Sequence, residues 1–495
     1  MDLEFRQERI TYLGSVLCET VMQEESGEAI VPDAMPDMER IADSFALVTL
    51  RGQECQLGTV SLSGDIQAGV LYMAQGEDEP RFLPVYLPFS LRRTVAGEAL
   101  RLTAMCRVRS VEARMLNSRK LSVRVGLCIE LDVLEPREEL CCMPAKPERY
   151  VQMKCESFPM LLPAECAQKN LLLRETLPLG AGHSAAKLLH TDALCELTDE
   201  KLAGNRAVCK GNLLVTVLYE TPEGALDSAA LTLPFSLVTE LEGEYEEQAL
   251  SLCPVLTSLQ AAPEGDGITV EAGLCMQCVV SRTLMVNAVT DAYATRGTLT
   301  LRWQDLAMRP RLDERALRQE LRTEIPAQCA QVVRAEALPD VPQTRWQDDR
   351  LRVCVPVLFR VLYRDSEGAY QSAEHRAELN AEIPAADRRC RVSAWAEGCV
   401  FAAPAAGGIE LRLSMALRCE WNADAELRAV CGAEYEPGER TQDEPAVIIR
   451  TPETDVPLWD VAKELCTTVS AIRLANDMEG DTAPAGELLL IPIVA

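Results

Sequence analysis

The tripeptide Val-Leu-Tyr occurs three times in this 495-residue chain, each time closing an apolar, strand-like run. Its tyrosines, Tyr72, Tyr219 and Tyr363, stand 147 and 144 residues apart. Other landmarks keep the same register. Gly64 and Gly211 each lie eight residues before their tyrosine, where the third copy has Val355. Pro88-Phe89-Ser90 and Pro234-Phe235-Ser236 follow by 16 and 15 residues, and the third copy lacks this tripeptide. Cys128, Cys275 and Cys419 each lie 56 residues after their tyrosine. Several landmarks in one register define a repeat, and a period of about 145 residues is a whole folding unit rather than one turn of a solenoid.

Each unit reads as antiparallel β. Leu121, Val123, Val125, Leu127, Ile129, Leu131 and Val133 alternate with polar or small residues, the period of two that marks a half-buried strand. Leu100, Leu102, Ala104, Cys106 and Val108 do the same upstream. Leu116-Asn117-Ser118-Arg119 lies between the two runs as a turn, so they predict a long hairpin. The runs ending at Tyr72, Tyr219 and Tyr363 are each followed by a turn, as in Thr221-Pro222-Glu223-Gly224 and Asp365-Ser366-Glu367-Gly368. The expected fold class is mainly β: three tandem antiparallel modules of sandwich or open-barrel type over residues 8–137, 150–283 and 300–430.

The last stretch, 445–495, differs. A short apolar run, Ala446 to Arg450, precedes Leu458, Val461, Ala462 and Leu465, which fall on one face of a helix. Thr467 or Thr468 is placed to cap a second helix over Val469–Ala475, and Leu488 to Ile491 closes as a strand. The expected order is β-α-α-β.

Composition bounds the function. A formal net charge of −27 repels phosphate backbones and anionic bilayers, so no nucleic-acid partner and no direct membrane insertion are expected. The N-terminus lacks a basic region followed by an apolar core, and no run approaches the roughly 20 apolar residues that span a bilayer. The expected location is the cytoplasm. The 20 cysteines are scattered through apolar runs and read as core residues of a reducing compartment, with no disulfide and no metal.

No catalytic signature stands out, and no cofactor is expected. A phosphate-cradling glycine loop is missing, and histidine, the commonest acid–base group, occurs only at His183, His190 and His375. Gly182-His183-Ser184-Ala185-Ala186 resembles a nucleophile elbow but ends in Ala186 instead of glycine. Cys275-Met276-Gln277-Cys278 has metal-like spacing, yet on a strand its cysteines point to opposite faces. Cys141-Cys142 reads as a linker pair.

Two resemblances add to this reading. Leu458-Trp459-Asp460-Val461-Ala462-Lys463, Thr468-Val469, Ile472, Asn476, Gly486 and Leu490-Ile491-Pro492 resemble a LysM module. The family's Gly-Asp-Thr before the Leu-Trp pair is replaced by Asp455-Val456-Pro457, in the loop that helps form its sugar groove. Pro32 to Ile41, the Gly64–Tyr72 run, Pro88-Phe89-Ser90 and Asp291-Ala292-Tyr293-Ala294-Thr295 resemble the SPOCS module. Such modules with a terminal LysM are similar to the SipL-type clostridial spore morphogenesis proteins. The resemblance implies a non-enzymatic scaffold in the mother cell, at the forespore surface. Its terminal module would bind the ATPase of the coat basement layer. The partner-binding residues expected are Asp455, Val456, Pro457, Leu458, Trp459, Met478 and Pro484, lining one shallow groove between loops 453–458 and 477–485. The alternative is a peptidoglycan-binding protein with the β modules as spacers.

Overall fold

The computed structural model describes residues 2–56, 58–146, 148–180, 183–245, 249–308, 311–384, 390–422, 426–438 and 446–493. The chain is mainly β, and one pairing order recurs in all three repeats. In repeat 1, β1 (Phe5–Ile30), β6 (Lys120–Pro144) and β5 (Arg101–Asn117) form one sheet in the order β1-β6-β5. A second sheet runs β2 (Met38–Gln56), β3 (Thr59–Ala74), β4 (Arg81–Thr94). The core lies between the sheets, with Val60, Leu62, Ile66 and Val70 of β3 facing Leu121, Val123, Val125 and Leu127 of β6. This is a two-layer sandwich, and the expected β5–β6 hairpin closes with Asn117 opposite Lys120.

Repeat 2 repeats the order with β7 (Val151–Pro178), β11 (Gly267–Ala294) and β10 (Ala249–Glu264). Its second sheet pairs β8 (Lys187–Glu220) with β9 (Leu226–Tyr245). Repeat 3 sets β13 (Arg311–Ile325) on β20 (Gly408–Asn422), whose other edge takes β18 (Arg391–Ala396) and β19 (Phe401–Ala405). Its second sheet has β14 (Gln331–Pro339) and β15 (Gln343–Gln347) on one edge of β16 (Arg350–Arg364) and β17 (Tyr370–Pro384) on the other. Flanking β13 and β20 in sequence, β12 (Thr298–Leu306) pairs β21 (Leu427–Glu436).

The repeat landmarks have a packing reason. Gly64 lies opposite Phe89 and Gly211 opposite Phe235. A Cβ on Gly64 would meet the Phe89 ring at 2.5 Å and the Thr49 carbonyl oxygen at 2.1 Å. On Gly211 it would meet Phe235 at 2.6 Å and the Glu196 carbonyl oxygen at 2.4 Å. The glycine therefore admits both a cross-strand ring and a neighbouring backbone. In repeat 3 both partners changed together, to Val355 opposite Leu379. There the strand equivalent to β2 is split, with β14 ending opposite Val357 and β15 beginning opposite Cys354. The bulge between Leu50 and Gly52 in repeat 1 corresponds to a break in repeat 3, where Val355 stands in the glycine's place and Pro342 and Pro356, which have no N–H, lie at the gap.

The repeats are also fused to one another. The N-terminal part of β1 with the end of β6, the N-terminal part of β7 with the end of β11, and β12 with β21 are three ribbons. They converge on a shared core that includes Ile10, Tyr12, Cys141, Met160, Leu162, Val286, Ala288, Leu306, Leu427 and Ala429. A second shared core joins Phe45 and Leu71 of repeat 1, Leu189 and Leu218 of repeat 2, and Leu362 and Tyr370 of repeat 3. Gln277, 1% exposed, binds repeat 1 through its amide, accepting from Ala104 N at 2.8 Å and donating to Ala104 O at 2.7 Å.

Cys141 and Cys142 are therefore not a linker pair: both lie buried inside β6, opposite Glu8 and Gln7. Cys275 and Cys278 lie in separate apolar clusters, as strand parity requires, and their thiols are pushed up by burial, Cys278 to about 12. Among the described residues no helix is long and apolar enough to cross a membrane.

Candidate functional site

The C-terminal module has the expected order. It comprises β22 (Val447–Arg450), β23 (Val456–Pro457), α1 (Leu458–Glu464), α2 (Val469–Asn476), β24 (Thr482–Ala483) and β25 (Leu489–Pro492). Residues 439–445, before the module, and 494–495, at its end, lie outside the described residues. Thr468 caps α2, its hydroxyl accepting from Ala471 N at 3.1 Å. Leu458, Val461, Ala462, Ile472, Leu489 and Ile491 form the core.

The two predicted loops do meet. Val456 pairs with Ala483 and Pro457 with Thr482, and the Asp455 carboxylate accepts from Ala485 N at 2.8 Å. Beside this pairing lies a pocket of 80 Å³ lined by Asn476, Met478, Ala483, Pro484, Glu487, Leu488 and Leu489. Pro457 and Pro484 are exposed, and Val456 and Met478 are half-buried against the module core.

Two of the expected groove residues are placed elsewhere. Leu458 is 0% exposed and belongs to the core, so it lines no open surface. Trp459 faces repeat 2. Its indole N–H donates to Asp291 Oδ2 at 2.8 Å, and its ring meets Tyr293 edge-on, centroids 4.9 Å apart. Lys463, one helical turn on, donates to both Asp291 oxygens at 2.7 Å. Tyr293 in turn donates its hydroxyl to Thr467 O at 2.8 Å and joins the module's core. Burial pushes the Asp291 carboxyl up, but the Lys463 ammonium and the Trp459 N–H outweigh it and hold the group below its ordinary range. The Asp291-Ala292-Tyr293 stretch, set apart in the sequence only by resemblance, is thus the clasp that seats the C-terminal module on the end of β11.

No family model matches the chain, and neither a curated protein nor a solved structure resembling it was found.

Sequence reasoning missed a second constellation, at the meeting point of the repeats. Asp43 and Arg334 occupy equivalent places, each just after a bulge and opposite Leu71 and Leu362 respectively. Both are buried, and Arg334 approaches Asp43 Oδ2 at 3.3 Å and Glu336 Oε2 at 2.9 Å. Arg360 lies 3.6 Å from Asp43 Oδ1 and binds Glu374 at 2.9 Å and the Ser44 hydroxyl at 3.1 Å. His190 of repeat 2 packs on Phe45, and its Nε2 has no hydrogen-bond partner among the described residues. Burial and the Arg334 charge hold His190 well below its ordinary range. Loss of water, then the Glu336 charge, pushes Asp192 up to about 6. Asp43, between Ile41 and Phe45, and Arg360, between Leu358 and Leu362, each interrupt an apolar phase of their strand, which is the signal the sequence carried; only the packing of three repeats brings them together. A cleft of 220 Å³ opens beside them, lined by Ser44, Glu112, Arg114, Arg360, Ser372 and Glu374 among others. Its Arg360 is already fully engaged by protein groups, which suits an architectural joint.

The remaining motif is dispersed. His183 pairs with Asp227 at 3.1 Å and lies 3.3 Å from the Tyr219 hydroxyl, while Ser184 is exposed and bonded to neither. Gly182 lies outside the described residues.

Proposed function

We propose that the chain is a non-enzymatic scaffold of spore-envelope assembly, of the SipL type, that docks a coat basement-layer ATPase through its LysM-like module. The observation that carries this reading is the way the C-terminal module is seated. Its Trp459–Lys463 face is consumed by repeat 2, while the Met478, Pro484 and Leu488 side is left open. A module fixed in orientation with this side outward suits presentation of a surface to another macromolecule. That face offers Val456, Pro457, Met478 and Pro484, whose side chains bury against protein; sugar hydroxyls need placed donors and acceptors, and an unpaired buried polar group costs about 1–3 kcal/mol. The three fused repeats act as the rigid body that carries it.

The experiment is co-purification of the full-length chain with the coat ATPase from sporulating cells. Pro484→Asp, at an exposed residue, and Met478→Asp, half-buried against the core, should lose capture while residues 456–476 keep parental hydrogen exchange. A charge at Leu458 is unsuitable for this purpose, because it would break the core. Tight binding of chitin or peptidoglycan oligomers by the full chain, with ATPase capture unaffected by Met478→Asp, overturns the reading in favour of glycan binding.

A further inference from the structure

The β22–β25 ribbon has one edge closed and one open. Ile493 N donates to Ala446 O at 3.0 Å, which fixes the parity of the ladder. Ile448–Ile491 and Arg450–Leu489 are then the hydrogen-bonded pairs, and Val447 and Ile449 turn their N–H and C=O groups away from β25. The far edge obeys the same parity. Leu490 turns outward there, and Asn476 closes it, accepting from Leu490 N at 2.7 Å and donating to Leu490 O at 2.6 Å. On β22 no group among the described residues does this for Val447 or Ile449.

The side chains carry the same asymmetry. Residues opposite one another share a face, so Val447, Ile449, Leu490 and Pro492 lie together on the outer side of the ribbon, with Leu488 two residues before Leu490. Val447 is 50% exposed, and Ile449 and Leu488 are each 62% exposed. Ile448, Leu489 and Ile491, on the inner side, pack with the helices. Open edges are normally guarded by lysine, proline or a bulge, and Val447-Ile448-Ile449 has none of these.

Charge decides what fits. The module's cations are already taken: Arg450 by Glu464, Lys463 by Asp291, Arg473 by Asp481. Glu453, Asp460, Asp477, Glu479 and Glu487 carry no ion pair among the described residues. A second copy of a chain of net charge −27 would add like charge, whereas a basic segment complements it.

We propose that the outer edge of β22 is a docking surface that takes an extended segment of a partner protein as a third strand, with apolar side chains alternating with lysine or arginine. This rests on reading the C-terminal module as protein-binding, but it uses a different surface from the Met478–Pro484 pocket. Main-chain bonds to Val447 and Ile449 supply the attachment, and the apolar outer face selects alternate side chains.

The test uses the full-length chain and a labelled peptide alternating valine with lysine, with a valine–glutamate peptide of equal length as control. Binding is read by anisotropy and by amide exchange over residues 446–450. The valine–lysine peptide should bind and slow exchange there, and the glutamate peptide should do neither. Ile449→Pro removes an N–H that the β22–β25 ladder does not use; it should weaken binding at least about tenfold with an unchanged thermal midpoint. If its midpoint falls, Val447→Lys/Ile449→Lys, which leaves the backbone intact, decides by the same criterion. Undiminished binding by the deciding variant, equal binding of both peptides, or a dimer that the variant abolishes each overturns the proposal. Failure here while ATPase capture still depends on Met478 leaves the groove reading standing; strand addition with Met478-independent capture does the reverse.

Discussion

Replacing Asp291 with alanine should release the C-terminal module from repeat 2 without unfolding either. The carboxylate receives the Trp459 indole N–H at 2.8 Å and both contacts from Lys463 at 2.7 Å. A hydrogen bond to a charged acceptor contributes about 1.5–3 kcal/mol, and an exposed ion pair about 0–1 kcal/mol. Lys463 is 45% exposed at its side chain, so its share belongs at the low end. The Trp459 bond is half-buried and carries most of the effect. The loss should be about 2–3 kcal/mol, a shift of roughly 30- to 150-fold in the ratio of seated to released module. Tyr293 would remain, through its bond to Thr467 O at 2.8 Å and its edge-on contact with Trp459. Tyr293→Ala in the same chain should therefore complete the release. Hydrogen exchange of residues 456–476 and limited proteolysis between the last repeat and the module measure it, with Glu479→Ala as a control that removes an exposed carboxylate of the same module. Wild-type exchange and cleavage in Asp291→Ala, or an equal effect from Glu479→Ala, would refute the clasp. Because Asp291 is held below its ordinary range, its contribution is present above about pH 4 and lost as acid protonates the folded form.

Asp192 behaves in the opposite sense. Its folded value of about 6 lies above the unfolded one near 3.9, so stability should rise as pH falls from 7 towards 4, and Asp192→Asn should flatten that slope and raise stability at pH 7.5 by about 2–3 kcal/mol, read from urea midpoints. Gln277→Ala would orphan the N–H and C=O of Ala104 at the repeat 1–repeat 2 seam; a loss of about 2–5 kcal/mol is expected in chemical denaturation, and an unchanged midpoint would deny the seam. Gly64→Val should cost at least about 1–3 kcal/mol, and adding Phe89→Leu should recover only part of it, because the Thr49 carbonyl contact is backbone. Full recovery in the double variant would refute the backbone contact as a reason for glycine at this place.

The repeat, the mainly β class and the β-α-α-β terminus were legible in the sequence because they rest on local periods. Alternation along Leu121–Val133 is a property of one strand, and the Leu458, Val461, Ala462 spacing is a property of one helix. That loops 453–458 and 477–485 lie side by side was expected only from the LysM resemblance, and the Val456–Ala483 pairing itself came from the structure. Trp459 and Leu458 could not be placed in the same way. Both sit at the start of α1, and whether a side chain there faces a groove, a core or another module depends on what the helix packs against. The Asp43–Arg334–Arg360 joint was invisible for a stronger reason. Its members come from strands about 290 residues apart, and although Asp43 and Arg360 each break an apolar phase, between Ile41 and Phe45 and between Leu358 and Leu362, nothing local names their partners. A strand pattern tells which face is polar but not whether solvent or another repeat covers it. The sequence by itself determined what each repeat and the terminal unit fold into. The tertiary structure alone decided that the repeats share cores, that repeat 2 holds the module by Asp291 and Tyr293, and that β22 keeps an open edge. Local periodicity encodes the partition between inside and outside within one element, whereas contacts between elements depend on shape and charge that only assembly brings into register.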